Sequence, residues 1–145
     1  MKIEGACHCG KIRYEAEIDP ETVKICHCTD CQVLSGTAFR TVVQTIEDSF
    51  QLLSGKPTVY VKTAQSGNRR EQTFCPECGT PIYSAAAGTG GTIVALRVGT
   101  IQQRDRLVPT EQYWHRSSQR WLAQLPMIEK SEQQPVFGAN GNFGR

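Results

Sequence analysis

Seven cysteines in 145 residues, at positions 7, 9, 26, 28, 31, 75 and 78, constrain this chain more than any other feature. They read as Cys7-x-Cys9, Cys26-x-Cys28-x-x-Cys31 and Cys75-x-x-Cys78. Disulfide frameworks belong to small secreted domains and use even numbers of cysteines. Here the number is odd, the spacings are very short, and the opening Met1-Lys2-Ile3-Glu4-Gly5 carries no apolar run of the kind that directs export. No window approaches the roughly 20 apolar residues that span a membrane. The expectation is a soluble cytoplasmic protein with no membrane partner, whose clustered thiols bind metal.

Cys75-Pro76-Glu77-Cys78-Gly79 is the most specific motif. Such a turn brings two sulfurs and several backbone N–H groups onto one ion, and its glycine tolerates the positive φ required. A tetrahedral structural zinc needs two more ligands, best taken from a segment distant in sequence. Cys7 and Cys9 fit, with Gly5 and Gly10 read as the glycines of a matching knuckle.

Cys26, Cys28 and Cys31 remain. Three protein ligands and an open fourth position are the usual design of a catalytic zinc. Two other readings stand beside it: a closed site completed by His27 or His8, or three ordinary buried cysteines. Iron–sulfur binding fits less well, because seven cysteines supply at most one fully ligated cluster.

The rest of the chain reads as all-β. Ile12, Tyr14, Ala16 and Ile18 alternate with polar residues and mark one strand face, and Val59 and Val61 mark another. Further β-rich runs cover 39–43, 50–53, 72–74, 81–83 and 92–98. The one helical turn expected is Asp30–Ser35, with Thr29 as N-cap and Gly36 as its stop. Residues 1–128 are expected to form one zinc-binding domain with a 39% hydrophobic share to build its core, and 129–145 a polar tail, loosely docked or frayed. Phe137 and Phe143 give that tail something to dock with, and a homodimer contact is one place for it. With 16 Lys+Arg against 14 Asp+Glu, the formal charge of +2 speaks against nucleic acid as a partner. Filling both metal sites makes the protein roughly neutral, since a divalent ion on four or three thiolates is itself anionic.

The sequence resembles the glutathione-dependent formaldehyde-activating enzyme family, which includes centromere protein V. The likeness runs from Gly5-Ala6-Cys7-His8-Cys9-Gly10, through Cys26-His27-Cys28-Thr29-Asp30-Cys31 and Ser35-Gly36, to Phe74-Cys75-Pro76-Glu77-Cys78-Gly79. It implies antiparallel sheets arranged as a tent, a structural zinc on Cys7, Cys9, Cys75 and Cys78, and a second zinc on Cys26, Cys28 and Cys31. It also implies a carbon–sulfur lyase chemistry, in which glutathione and formaldehyde give S-hydroxymethylglutathione. The tent is shared with methionine sulfoxide reductase B, whose nucleophilic cysteine near the chain's end has no counterpart here, since none follows Cys78. A non-enzymatic zinc-stabilised binding or scaffold domain is the alternative.

For the enzyme reading, a metal that deprotonates a substrate thiol raises its ionised fraction at most about 30-fold, near 2 kcal/mol. A Lewis-acid role toward the aldehyde oxygen is the other route. His27, between two candidate ligands, is the proton-relay candidate; the bland reading has it facing solvent or a backbone carbonyl. Arg40, Lys56, Lys62, Arg69, Arg70 and Arg97 are the cations available for the carboxylates of glutathione. The aromatic segment Tyr113–Trp121 is expected to close the core or, failing that, to wall a pocket.

Overall fold

The computed structural model describes residues 1–133. Ten strands form two sheets. β1 (Lys2–Ala6), β2 (Arg13–Glu17) and β5 (Gln51–Ser54) make a three-stranded antiparallel sheet in the order β1-β2-β5. The second sheet has seven strands: β3 (Lys24–Cys26), β4 (Arg40–Gln44), β6 (Thr58–Thr63), β7 (Arg69–Phe74), β8 (Pro81–Ala86), β9 (Ala95–Arg97) and β10 (Glu111–Tyr113). Their order is β10-β3-β4-β9-β8-β7-β6, antiparallel except for the parallel pair β10–β3. One α-helix, α1 (Thr29–Ser35), and short 3₁₀ turns complete the described residues, so the all-β tent expected from the sequence is the architecture found.

The core lies between the sheets. Strand side chains alternate faces, so Ile3, Tyr14 and Ala16 of the small sheet meet Val43, Leu96 and Ala85 of the large one, all buried. Ile12 and Ile18 extend the same face, as their alternation predicts. The rings of Tyr14, Phe50 and Tyr83 continue across, with centroids 5.5 and 4.9 Å apart. Tyr14 buries completely, and its hydroxyl pairs with Thr100 Oγ1 at 2.6 Å.

Several expectations are corrected. Gly5 is not a knuckle glycine: it sits inside β1 opposite Tyr14, where a Cβ would come within 2.1 Å of Tyr14 Cζ. Val59 and Val61 do share one face of β6, opposite Thr73 and Glu71 of β7, but that pair lies outside the core. They are about 47% and 38% exposed, because β6 is an edge strand with β7 as its sole sheet neighbour. The run 92–98 shortens to β9, after which Val98–Thr100 turns as a 3₁₀ helix. α1 begins at Thr29, and its N-cap is Cys28, whose sulfur accepts from the Cys31 N–H; Gly36 ends it at φ +67°. Thr29 does not cap because the preceding sulfur already takes that donor.

Residues 129–133 are exposed. The rest of the expected tail, with Phe137 and Phe143, lies outside the described residues. No helix among the described residues is long and apolar enough to cross a membrane.

Candidate metal centres and the adjoining cavity

Two reverse turns build the first centre. After β1, the Cys7 N–H bonds Ile12 O and the Gly10 N–H bonds Cys7 O, both at 3.0 Å, with Gly10 at φ +76°. Between β7 and β8, the Cys75 N–H bonds Thr80 O and the Gly79 N–H bonds Cys75 O, both at 2.9 Å, with Gly79 at φ +71°. The two turns face each other, and the His8 N–H donates to Thr80 Oγ1 at 3.1 Å. Cys7 Sγ lies 3.5 Å from Cys9 Sγ, Cys9 Sγ lies 3.8 Å from Cys75 Sγ, and all four sulfurs fall within 4.8 Å of one another. A tetrahedral ion with metal–sulfur bonds of ~2.3 Å separates its sulfurs by ~3.8 Å. This donor set therefore fits a zinc-like ion. The Ile12 N–H already points at Cys7 Sγ from 3.2 Å. Hydrogen bonds from the Thr80 hydroxyl and N–H bring Cys78 down to about 5, which favours the thiolate a metal requires. One turn belongs to the small sheet and the other to the large one, so an ion here pins the two sheets together.

The second centre lies within one segment. Cys26 ends β3, Cys28 caps α1 and Cys31 lies in its first turn, so extended backbone passing into helix gathers three sulfurs within 4.8 Å. All three are half-buried. Their hydrogen bonding is lopsided. The contact with Cys31, helped by Cys28 and by the charge of Arg40, lowers Cys26 to about 5, and the same contact together with burial drives Cys31 upward. The segment is braced from outside: Gln32 Nε2 donates to His27 O at 2.8 Å and Ser117 O at 2.9 Å, while Gln119 Nε2 donates to Gln32 Oε1 at 2.8 Å. Lys62 pairs with Asp30 on the same helix.

A cavity of about 310 Å³ opens beside this centre. Its floor is one face of the large sheet. Cross-strand partners share a face, so Cys26 opposite Arg40, Val42 opposite Arg97, Ala95 opposite Ser84, and Gln72 opposite Ser84 place their side chains in one layer. Leu34 and Cys31 of α1 contribute from above the floor. Lys24, Arg40, Lys62, Arg70 and Arg97 all line it, and no carboxylate does. A second cavity, of about 450 Å³, shares Leu34, Arg40, Gln72 and Arg97 as wall and extends toward Tyr60, Phe74 and Pro81. Burial first, and then the charge of Arg40, pull Arg97 down to about 9.

Of the six candidate cations, Arg40, Lys62, Arg70 and Arg97 reach the cavity, whereas Lys56 and Arg69 are exposed elsewhere. Lys24 and Gln72 were not among the candidates. Lys24 is two residues before Cys26 on a strand, so the period of two already puts it on the same face. His27 is 2% exposed and meets neither solvent nor a backbone carbonyl through its ring: Nε2 is 2.7 Å from Gln112 Oε1, Nδ1 has no protein partner, and Phe39 and His115 pack edge-on. It is not among the residues lining the cavity. His8 and His27 join neither sulfur cluster. The aromatic segment does not close the core. Trp114 and Trp121 are exposed, with Arg116 stacked over Trp114 at 4.8 Å, and only Tyr113 turns into the cavity.

Two facing sheets, a four-sulfur cluster between their turns and a three-sulfur cluster beside a cationic cavity define a class: a β-tent protein with two cysteine clusters able to hold metal ions. The family model for glutathione-dependent formaldehyde-activating enzymes matches residues 2–117, and the chain belongs to that family. An uncharacterized lyase of Schizosaccharomyces pombe is 30% identical over 82 residues, a match spanning 57% of this chain and 56% of that protein. The chain thus matches about half the length of that relative. A crystal structure of a Rhodobacter sphaeroides protein superposes with a TM-score of 0.56 at 16% identity, covering 75% of this chain and 98% of that one, a likeness of fold.

Proposed function

We propose that the protein is a zinc enzyme of the carbon–sulfur lyase class, acting on a thiol adduct in the manner of glutathione plus formaldehyde giving S-hydroxymethylglutathione. Cys7, Cys9, Cys75 and Cys78 would hold a structural zinc, and Cys26, Cys28 and Cys31 a second one with an open position. The observation that carries the reading is that Cys26 and Cys31 open onto a cavity lined by five cations and no carboxylate. A thiol-bearing anion suits such a place. A zinc ion bound there supplies Lewis acidity that lowers the pKa of a neighbouring thiol. The residues of the chain do the rest. The cationic floor orients the ligand, and α1 carries Cys28 and Cys31 to the position where the ligand's sulfur must lie. The thiolate adds to the aldehyde carbon, the C–S bond forms as the carbonyl π pair moves to oxygen, and that oxygen takes up a proton equivalent to the one the thiol released.

Because His27 does not line the cavity, no proton transfer is assigned to its ring; its carbonyl receives Gln32 and so fixes the segment. A reducing cytoplasmic setting goes with the reading, since it keeps seven thiols available. Metal analysis of the purified protein together with an assay of S-hydroxymethylglutathione formation tests it. The expected result is two zinc ions per chain and a rate that falls to background in Cys28→Ser. One zinc per chain, or equal rates in both proteins, rejects the assignment.

A further inference from the structure

The second cavity, of about 450 Å³, has no use for formaldehyde, whose carbon carries only hydrogens. It lies on the same face of the large sheet as the first. Tyr60 pairs opposite Gln72, and Phe74 follows Gln72 by two residues, so all three side chains stand on that face. The wall between the cavities is a fixed row: Arg40 Nη1 and Arg97 Nη2 both donate to Gln72 Oε1, from 3.2 and 2.8 Å, and Leu34 of α1 borders both spaces. Past that row the chemistry changes. Tyr60, Phe74, Gly79 and Pro81 line the chamber and no further charged side chain joins them; Thr73, also part of its lining, alternates to the buried side of β7. Phe74, Gly79 and Pro81 flank Cys75 and Cys78, so the turn that carries the four-sulfur centre also sets the chamber's far wall.

The three-sulfur centre is close to this chamber. Cys31 and Leu34 are three residues apart on α1, hence neighbours on one helix face and about 4.5 Å apart along its axis. Arg40 lies directly opposite Cys26 on the neighbouring strand. Resting on the thiol-capture reading above, we propose that the chamber holds an apolar substituent on the carbonyl carbon that the thiol attacks, so that the electrophile is an aldehyde bearing a hydrocarbon chain or ring. The carbon that bonds the ligand's sulfur starts beside Cys26 and Cys31, and its substituent must leave that point in some direction. Laid on the cationic floor it would strip water from guanidinium groups at a cost; passed beyond Leu34 it gains from burial. The step balances without another reactant. The thiolate sulfur bonds to the carbonyl carbon, the π pair moves to oxygen, the proton that the thiol released returns to that oxygen, and the substituent stays attached throughout, giving a hemithioacetal.

Calorimetric titration of the zinc-loaded full chain with glutathione, S-methylglutathione and S-hexylglutathione tests this. Glutathione reports on thiol capture, and the two thioethers, alike in all but chain length, report on the chamber. A fully buried CH₂ is worth about fourfold in affinity, so with half of the added length buried the hexyl ligand should bind about 30-fold more tightly than the methyl ligand. Leu34→Gln and Tyr60→Gln each put a polar amide in the chamber's lining and should cut that ratio about fivefold or more. Taking the ratio within each protein cancels any change in folding or in the sulfur centre. In the adduct-forming assay, the rate above the uncatalysed background should be greater with hexanal than with formaldehyde at equal aldehyde concentration. A hexyl-to-methyl ratio near one in the wild type, or one that neither variant changes, rejects the chamber's role, and thiol capture stands if glutathione binds. If glutathione does not bind, thiol capture falls and takes this proposal with it. If the hexyl ligand binds tightly but only formaldehyde is accelerated, the chamber takes an apolar group that the electrophile does not carry, and the aldehyde assignment is overturned.

Discussion

Replacing Gly5 with alanine adds one methyl group, and the structure fixes what it meets. A Cβ there would lie 2.1 Å from Tyr14 Cζ, 2.3 Å from the hydroxyl and 2.6 Å from Cε1. Ordinary contact begins near 3.4 Å, so the ring must retreat by more than an ångström. It has nowhere to go, because Tyr14 is fully buried against Phe50 and its hydroxyl pairs with Thr100. Overpacking of a tight core costs about 1–3 kcal/mol, and a buried hydroxyl torn from its partner costs about 1–3 more. Gly5→Ala should therefore destabilise the protein by about 2–6 kcal/mol, which for a chain of this length lowers the melting temperature by roughly 7–20 °C. Urea unfolding at fixed zinc concentration measures it. Tyr14→Leu vacates the ring's space, so the double variant should be more stable than the two single losses predict, by at least about 1 kcal/mol. A cost below about 0.5 kcal/mol for Gly5→Ala, or strict additivity with Tyr14→Leu, refutes the steric argument.

The two metal centres should respond differently to loss of a ligand. Cys75→Ser combined with Cys78→Ser removes both ligands of the second turn and opens a link between segments 66 residues apart, Cys9 to Cys75, whose closure is worth about 4 kcal/mol of chain entropy; Cys28→Ser opens a link within one short segment. Thermal unfolding should show a large loss for the first and a small one for the second, and equal losses would contradict the assigned roles. Alkaline pH offers another check. Burial, partly offset by the Thr100 hydrogen bond, raises Tyr14 to about 12, so the folded state keeps the phenol neutral while the unfolded chain ionises it near 10. Stability is fully present below pH ~10 and is lost as pH rises toward 12, by about 3 kcal/mol in all. Tyr14→Phe should flatten that limb of the stability curve, and an unchanged slope would count against it.

What could be read in the sequence was whatever depends on near neighbours along the chain. The alternation from Ile12 to Ile18 picks out a core face, and Cys75-x-x-Cys78-Gly79 specifies a turn by its own geometry. The sulfurs of Cys26, Cys28 and Cys31 converge because a strand end passes into a helix start, which their spacing allows. The missing parts depend on pairing between distant strands. Nothing near Gly5 announces that Tyr14 lies opposite, and nothing near Val59 says that β6 will be an edge. Trp114 and Trp121 look like core residues by size alone, yet the core is already filled by Tyr14, Phe50 and Tyr83. Gln72 carries no chemical signal in the sequence; it matters only because two arginines from other strands converge on it.

The large sheet does two separate jobs with its two faces. In β4 and β9, Val43 and Leu96 hold the tent together, while their immediate neighbours Val42, Gln44, Ala95 and Arg97, with Arg40 further along the same face, floor the cavity. Divergence can act on one set without disturbing the other. Ser84 and Ala95 are small residues in the middle of that floor, and enlarging either reshapes the chamber while every residue of the opposite face keeps its neighbours. A scaffold divided in this way lets descendants exchange ligands by a few substitutions at alternate positions and keep the same architecture, so a shared fold across such relatives carries little information about a shared substrate.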